Sequence, residues 1–250
     1  MLKINAKYIA RKVPELTIYF WIIKLLSTAL GESTSDYLVF HINPYIDVFL
    51  GGAGLIISFV LQFWVKKYIA WIYWLTVVMV AIFGTMAADV LHVALGVPYI
   101  ASTIFFSISL AIIFAVWYKA EKTLSIHSIN TRRRELFYWA AVMATFALGT
   151  AAGDMTAATI GLGYLLSGIF FAILFLIPGF GYWKLSWKSV FSFWFAYVIT
   201  RPFGASFADY FGKPIFGGLG LGDEIVSLIL MVLIIVFVVY LTITRKDITD

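Results

Sequence analysis

An all-α polytopic membrane protein of eight transmembrane helices is what this sequence predicts, on three observations. First, 62% of its 250 residues are apolar and only 12% are charged, with a mean hydropathy of +0.96, whereas soluble domains carry roughly 25% charge. Second, the apolar residues fall into runs of about 20, the length a helix needs to cross a ~30 Å hydrocarbon core. These runs are continuous rather than alternating, which excludes barrel strands. Third, one frame occurs four times: a tryptophan, a glycine ten residues later and an aspartate five after that. It reads Trp21–Gly31–Asp36, Trp74–Gly84–Asp89, Trp139–Gly149–Asp154 and Trp194–Gly204–Asp209.

The spans follow in order. The first, 15–36, comes after Lys3, Lys7, Arg11 and Lys12; it is too long for a signal peptide and has no small-residue cleavage site after it. The second, 48–65, ends at Lys66 and Lys67, the third is 70–91, and the fourth, 98–118, ends at Lys119 and Lys122. The fifth, 136–157, starts behind Arg132, Arg133 and Arg134, and the sixth, 162–183, ends at Lys184 and Lys188. The seventh is 190–211, and Arg245 and Lys246 follow the eighth, 224–243. The odd-to-even connections hold one base, Lys213, beside Asp47, Asp223 and Glu224. The positive-inside rule therefore places both termini in the cytoplasm, which suits a bacterial inner membrane, and the four hairpin tips outside. This distribution accounts for the net charge of +5 without nucleic acid, and the Arg132–Arg134 run reads as a topology determinant.

Successive frame tryptophans are 53, 65 and 55 positions apart, so the chain reads as one integral-membrane domain of four hairpins, at about 13–67, 68–125, 132–186 and 187–246. Two-helix units keep their orientation, which relates the copies by an axis along the membrane normal and implies a ring around a central space. With its opening Pro14-Glu15, Tyr19-Phe20-Trp21 and Gly31-Glu32, the chain resembles bacterial multi-pass "membrane-anchored" proteins built from four tandem two-helix repeats, each with a characteristic tryptophan. That family has no established activity, so the resemblance implies an architecture only.

Each frame residue has its own reading. Trp74, Trp139 and Trp194 sit five to seven residues inward of Lys67, Arg134 and Lys188, as aromatic-belt anchors do; the alternative is a ring of indoles at the mouth of a pathway. Each glycine is followed four residues later by Ser35, Ala88, Gly153 or Ala208, the small-x-x-x-small pattern of closely packed membrane helices. The aspartates lie near the C-terminal ends of their helices, where the helix dipole disfavours negative charge. Four such choices in one register point to a shared cation or proton site, with turn capping or headgroup solvation as the alternatives. Lys24, Thr28, Glu32 and Asp36 form one polar stripe, and Arg201 shares a face with Asp209 behind Pro202. Lys24, Glu32 and Arg201 thus make a symmetric scaffold asymmetric. Five acids against two bases leave an excess of three negative charges in the spans.

The expected activity is transport of a small cation, of the hard divalent type (Mg²⁺, Mn²⁺ or Ca²⁺) and coupled to protons. Its metal ligands would be Asp36, Asp89, Asp154, Asp209 and Glu32, with Lys24, Thr28 and Arg201 along the substrate or proton pathway. Thr28, Ser35, Thr85, Thr150 and Ser206 complete an all-oxygen set. The alternatives are a channel with an acidic ring, a carrier of a small organic or anionic solute held by Lys24 and Arg201, and a non-transporting scaffold or sensor. With no cysteine, three histidines (His41 and His92 read as solvated turn residues) and no nucleophile–base motif, neither an enzyme nor a resident cofactor is expected. The lipid bilayer and the transported cation are the expected partners.

Overall fold

The computed structural model describes residues 11–248, which form eight long α-helices and no strand. Lys3, Lys7 and the amino terminus lie outside the described residues. The helices are α1 (Ile18–His41), α2 (Pro44–Trp64), α3 (Ala70–Asp89), α4 (Tyr99–Glu121), α5 (Arg132–Asp154), α6 (Gly163–Lys184), α7 (Ser189–Gly212) and α8 (Asp223–Thr244). All of them except α1 and α7 are long and apolar enough to cross a membrane. α1 and α7, at 24 residues each, are the longest, but they carry the interior charges. Starts are set locally: Thr17, Asn43 and Thr131 accept a backbone N–H at the heads of α1, α2 and α5, and Pro44 opens α2 where no donor is needed. α3 and α5 do not stop at their aspartates but run on into π-helical turns, Val90–Ala94 and Met155–Thr159.

The four odd helices pack in a closed ring, α1 on α3, α3 on α5, α5 on α7 and α7 on α1. The frame glycines make the ring tight. A Cβ on Gly31 would fall within 3.0 Å of Ala81, one on Gly84 within 3.0 Å of Phe146, one on Gly149 on the Arg201 side chain, and one on Gly204 on Thr28. Each of those partners sits three residues before the glycine of the next copy, so one contact is repeated four times around the ring. A methyl group there would force the helices apart, at a cost of about 1–3 kcal/mol per overpacked site. The even helices lie outside with most of their surface exposed.

The even helix of each copy packs chiefly on the odd helix that follows it: α2 on α3, α4 on α5, α6 on α7, and α8 back on α1. The two helices expected to form one packed hairpin, α1 and α2 for example, touch little. Extended Ile42 separates α1 from α2, and the π-turns Val90–Ala94 and Met155–Thr159 prolong α3 and α5 before α4 and α6 begin.

Three of the four frame tryptophans are packed inside rather than set as belt anchors, and Trp21 is half-buried. Trp74, Trp139 and Trp194 are buried, each against the ring preceding the tryptophan of another copy: Phe20 on Trp74 (centroids 5.6 Å apart), Tyr73 on Trp139 (5.6 Å), Tyr138 on Trp194 (6.1 Å) and Phe193 on Trp21 (5.9 Å). Tyr73 and Tyr138 share a hydrogen bond at the centre. This aromatic layer fills one end of the ring. Of the tryptophans ending even helices, Trp64 is 77% and Trp183 75% exposed, while Trp117 is buried against Trp194.

A strap, residues 11–17, crosses the same end. Lys12 pairs with buried Glu135, which also accepts from Gln62 Nε2 at 2.9 Å. The backbone N–H of Lys12 donates to Ile129 at 3.2 Å, that of Tyr68 to Arg11 at 2.9 Å, and that of Glu15 to Asp247 at 2.9 Å. Burial and nearby Asp247 push the Tyr68 phenol well above its usual range, so it remains a donor to that carboxylate. Arg133 and Arg134 pair with Glu121, tying α4 to α5.

Candidate functional site

The frame repeats along four helices packed side by side in the same register, so its positions stack as layers along the ring axis. Fifteen residues separate tryptophan from aspartate, about 22 Å of helix. Above the aromatic layer comes Lys24, 1% exposed, at the height of Val77, Val142 and Tyr197. Its ammonium has no hydrogen-bond acceptor among the described residues and lies 3.9 Å from the centroid of Phe146 and 4.3 Å from that of Tyr197. Two ring faces therefore stand in for an acceptor.

Arg201 forms the next layer. Its Nη2 shares its two hydrogens among Glu32 at 2.5 Å, Thr150 at 2.6 Å and Thr85. These acceptors are the residues directly after the frame glycines of the first, third and second copies; Ala205 fills that place in the fourth. One guanidinium from the fourth copy thus gathers the other three. Its Nε and Nη1 have no acceptor among the described residues. Thr28 stands aside from this layer, its hydroxyl directed to Leu25 (2.7 Å) and to Thr200 across the α1–α7 contact (3.1 Å). Pro202 leaves α7 continuous, and the carbonyl that Thr28 takes lies two residues before it.

The aspartate layer opens onto a cavity of about 940 Å³, lined by Glu32, Asp36, Asp89 and Asp154 and running out to His41 and residues 212–216. Lys213 enters it from the α7–α8 connection, its ammonium 2.8 Å from Asp36 Oδ2 and 2.8 Å from Asp209 Oδ1. Burial opposes the Lys213 charge, but Asp209, Asp36 and Glu32 outweigh it and hold the ammonium well above its usual range. Asp89 and Asp154 form no ion pair among the described residues; Asp89 has only Ser35 Oγ, at 3.5 Å. Neither caps the π-turn that follows it, so capping does not account for them. Two sets of groups come within 4.8 Å of one another in a metal-like arrangement, Asp89 with His92 and Asp154, and Glu32 with Asp154 and Asp209. The second set is already engaged, Glu32 by Arg201 and Asp209 by Lys213.

The structure thus brings four aspartates and Glu32 to one end of the axis and sets Lys24 and Arg201 below them. Sequence reasoning missed Lys213 as a site residue, although it lies four residues after Asp209 and is the one base of its connections. It also missed Phe146, which occupies the position of Thr28, Ala81 and Arg201 in the other copies and carries the contact with Lys24. His92 is no solvated turn residue: it is partly buried, 2.6 Å from Ser102 Oγ and edge-on to Tyr99. His41 is exposed, as expected, and stacks on Tyr37.

No curated protein and no solved structure matches the chain. The repeat family described as Repeat of Unknown Function (DUF347) matches four times in tandem, at residues 19–68, 72–123, 137–187 and 192–247. Together these segments cover most of the chain, which is a member of this repeat-built family of unknown function.

Proposed function

We propose that the protein crosses a bacterial inner membrane eight times, both termini in the cytoplasm, and carries a small cation through the space enclosed by its odd helices. Apolarity supports six of the crossings directly. For α1 and α7 the support is burial, because Lys24, Glu32, Asp36, Arg201 and Asp209 face the interior and leave apolar faces for neighbours and lipid. The repeated glycine and aromatic contacts support four parallel copies about the membrane normal. The observation that carries the function is the convergence of Asp36, Asp89, Asp154 and Glu32 on one cavity, with Asp209 tied to it through Lys213 and with Asp89 and Asp154 lacking a basic partner among the described residues. Carboxylates left there without a cation or proton are costly, so the site favours a positive visitor. Arg201 and the aromatic layer occupy the axis beyond it, which favours a carrier that changes shape over an open channel.

Exchange of protons for the cation on the same carboxylates would couple transport to a pH gradient. A hard divalent ion suits the oxygen donors, at the expense of displacing Arg201 or Lys213. One observation favours a second reading, a carrier of a small anionic solute: the donors of Lys24 and of Arg201 Nε and Nη1 that lack acceptors. The test is flux into proteoliposomes over divalent, monovalent and organic cations and small anions, with and without a pH gradient. Cation flux is expected, abolished in Asp89→Asn/Asp154→Asn. Flux untouched by neutralising all four aspartates, or flux of anions alone, would defeat the cation reading.

A further inference from the structure

The cavity is larger than a metal ion requires. Its volume of about 940 Å³ lies in the range of pockets for organic ligands, roughly 300–1,000 Å³. A hexahydrated ion, with waters of about 30 Å³ each, would fill a fraction of it. Much of the wall is apolar or aromatic, with Met86, Tyr99, Tyr164 and Phe216 beside the carboxylates.

Two residues outside the four-copy frame give the site its chemistry. Asp47, from the first turn of α2, lines the cavity at 2% exposure, and its Oδ1 accepts no hydrogen bond among the described residues. A buried carboxylate oxygen without a donor is satisfied when a donor enters the cavity. Lys213 is the other. Four residues after the aspartate the remaining copies have Phe40, Val93 and Ala158, so this lysine is specific to the fourth copy. Its ammonium lies between two carboxylates at 2.8 Å each, 5.7 Å from the centroid of Tyr164. A primary ammonium on an aliphatic stem is therefore what the site already holds.

We propose that this cavity binds a primary alkylammonium, and that Lys213 is a tethered competitor which holds Asp36 and Asp209 until the substrate's ammonium displaces it. This rests on the cation-carrier reading and names its substrate class. Three N–H donors on one nitrogen match carboxylate oxygens arriving from several helices, and the alkyl stem lies against the apolar wall. Asp89 and Asp154 hold the charge that stays uncompensated while Lys213 occupies its pair, and Asp47 receives a further donor. Displaced, Lys213 swings towards the mouth of the cavity, where its connection is exposed.

The test measures binding of n-butylammonium to the purified full-length protein in nanodiscs, by calorimetry and thermal shift. The wild type is expected to bind it saturably. Lys213→Ala is expected to bind about tenfold more tightly, because a site occupied by its own lysine nine-tenths of the time shows its affinity reduced by that factor. n-Butylammonium should also restore the melting temperature that Lys213→Ala loses, and tetramethylammonium, which has no N–H, should do neither. Should Lys213→Ala not fold, Asp47→Asn leaves the lysine in place and is expected to weaken n-butylammonium binding about tenfold. Equal binding of tetramethylammonium, no tightening in a folded Lys213→Ala, or unchanged binding in Asp47→Asn overturns the proposal. Binding of Mg²⁺ or Mn²⁺ without any alkylammonium overturns the substrate class and leaves the cation carrier standing. No binding or flux of any cation overturns both.

Discussion

Arg201 directs one nitrogen to three acceptors from three helices and has no exposure at all. Removing a single partner of a buried, hydrogen-bonded ion pair leaves a charge without compensation and costs about 3–5 kcal/mol, whereas replacing both by groups of similar shape costs far less. Arg201→Met and Glu32→Gln alone are therefore each expected to destabilise the protein by that order, and the double variant by less than their sum. Unfolding in detergent with a double-mutant cycle measures this; strictly additive losses would mean that the pair does not act as a unit. At this scale the sequence showed which positions are charged but not what each charge meets. Arg201, Glu32 and Lys24 were legible as departures from a four-fold pattern. The partners Thr85 and Thr150 were legible only as oxygen donors, because their meeting at one nitrogen depends on how the four helices are rotated. Lys213 is less legible because it lies in a connection, although its four-residue spacing from Asp209 puts both on one helical face.

At the scale of elements, the aromatic layer and the strap close the end of the ring opposite the cavity. Four indoles and the rings that precede them form the layer, and residues 11–17 bind it from below through Lys12, Glu135 and Gln62. On the proposed carrier reading this end opens to release the cargo, and the Lys12–Glu135 pair joins the strap to α5. Lys12→Met is expected to favour the open end. The chain has no cysteine, so a single Val77→Cys, at a fully buried position in the Lys24 layer, reports on access without background. Maleimide labelling of Val77→Cys should rise about tenfold when Lys12→Met is added, which corresponds to a shift of about 1.4 kcal/mol. An unchanged rate would show that the strap does not control access. The helices themselves were readable, since continuous apolar runs allow little else. The role of their tryptophans was not, because distance from a lysine tells how deep an indole lies and not whether it faces lipid or another helix.

For the whole molecule, the main consequence of the four-fold frame is that no copy is complete alone. Each glycine receives a side chain from the next copy, each tryptophan receives a ring from another, and each even helix covers the odd helix after it. The last helix returns to the first, so the ring closes through α8 on α1 and α7 on α1. Such an arrangement requires all odd helices to run in one direction, and with it all connections of one kind to lie on one side. The basic residues Lys66, Lys67, Lys119, Lys122, Arg132, Lys184 and Lys188 mark one side, and the acid-lined cavity marks the other. Under the proposed topology the positive-inside rule predicts that the cavity faces the exterior. Single cysteines test this without a background thiol. Tyr45→Cys and Leu219→Cys, both exposed on the cavity side, are expected to react with a membrane-impermeant maleimide on intact cells. Lys66→Cys and Leu185→Cys, exposed on the basic side, should react only after the membrane is made permeable. The reverse pattern would place the cavity on the cytoplasmic side. Mixed reactivity within one side would break the parallel ring itself, and with it the convergence of four aspartates on which the cation site depends.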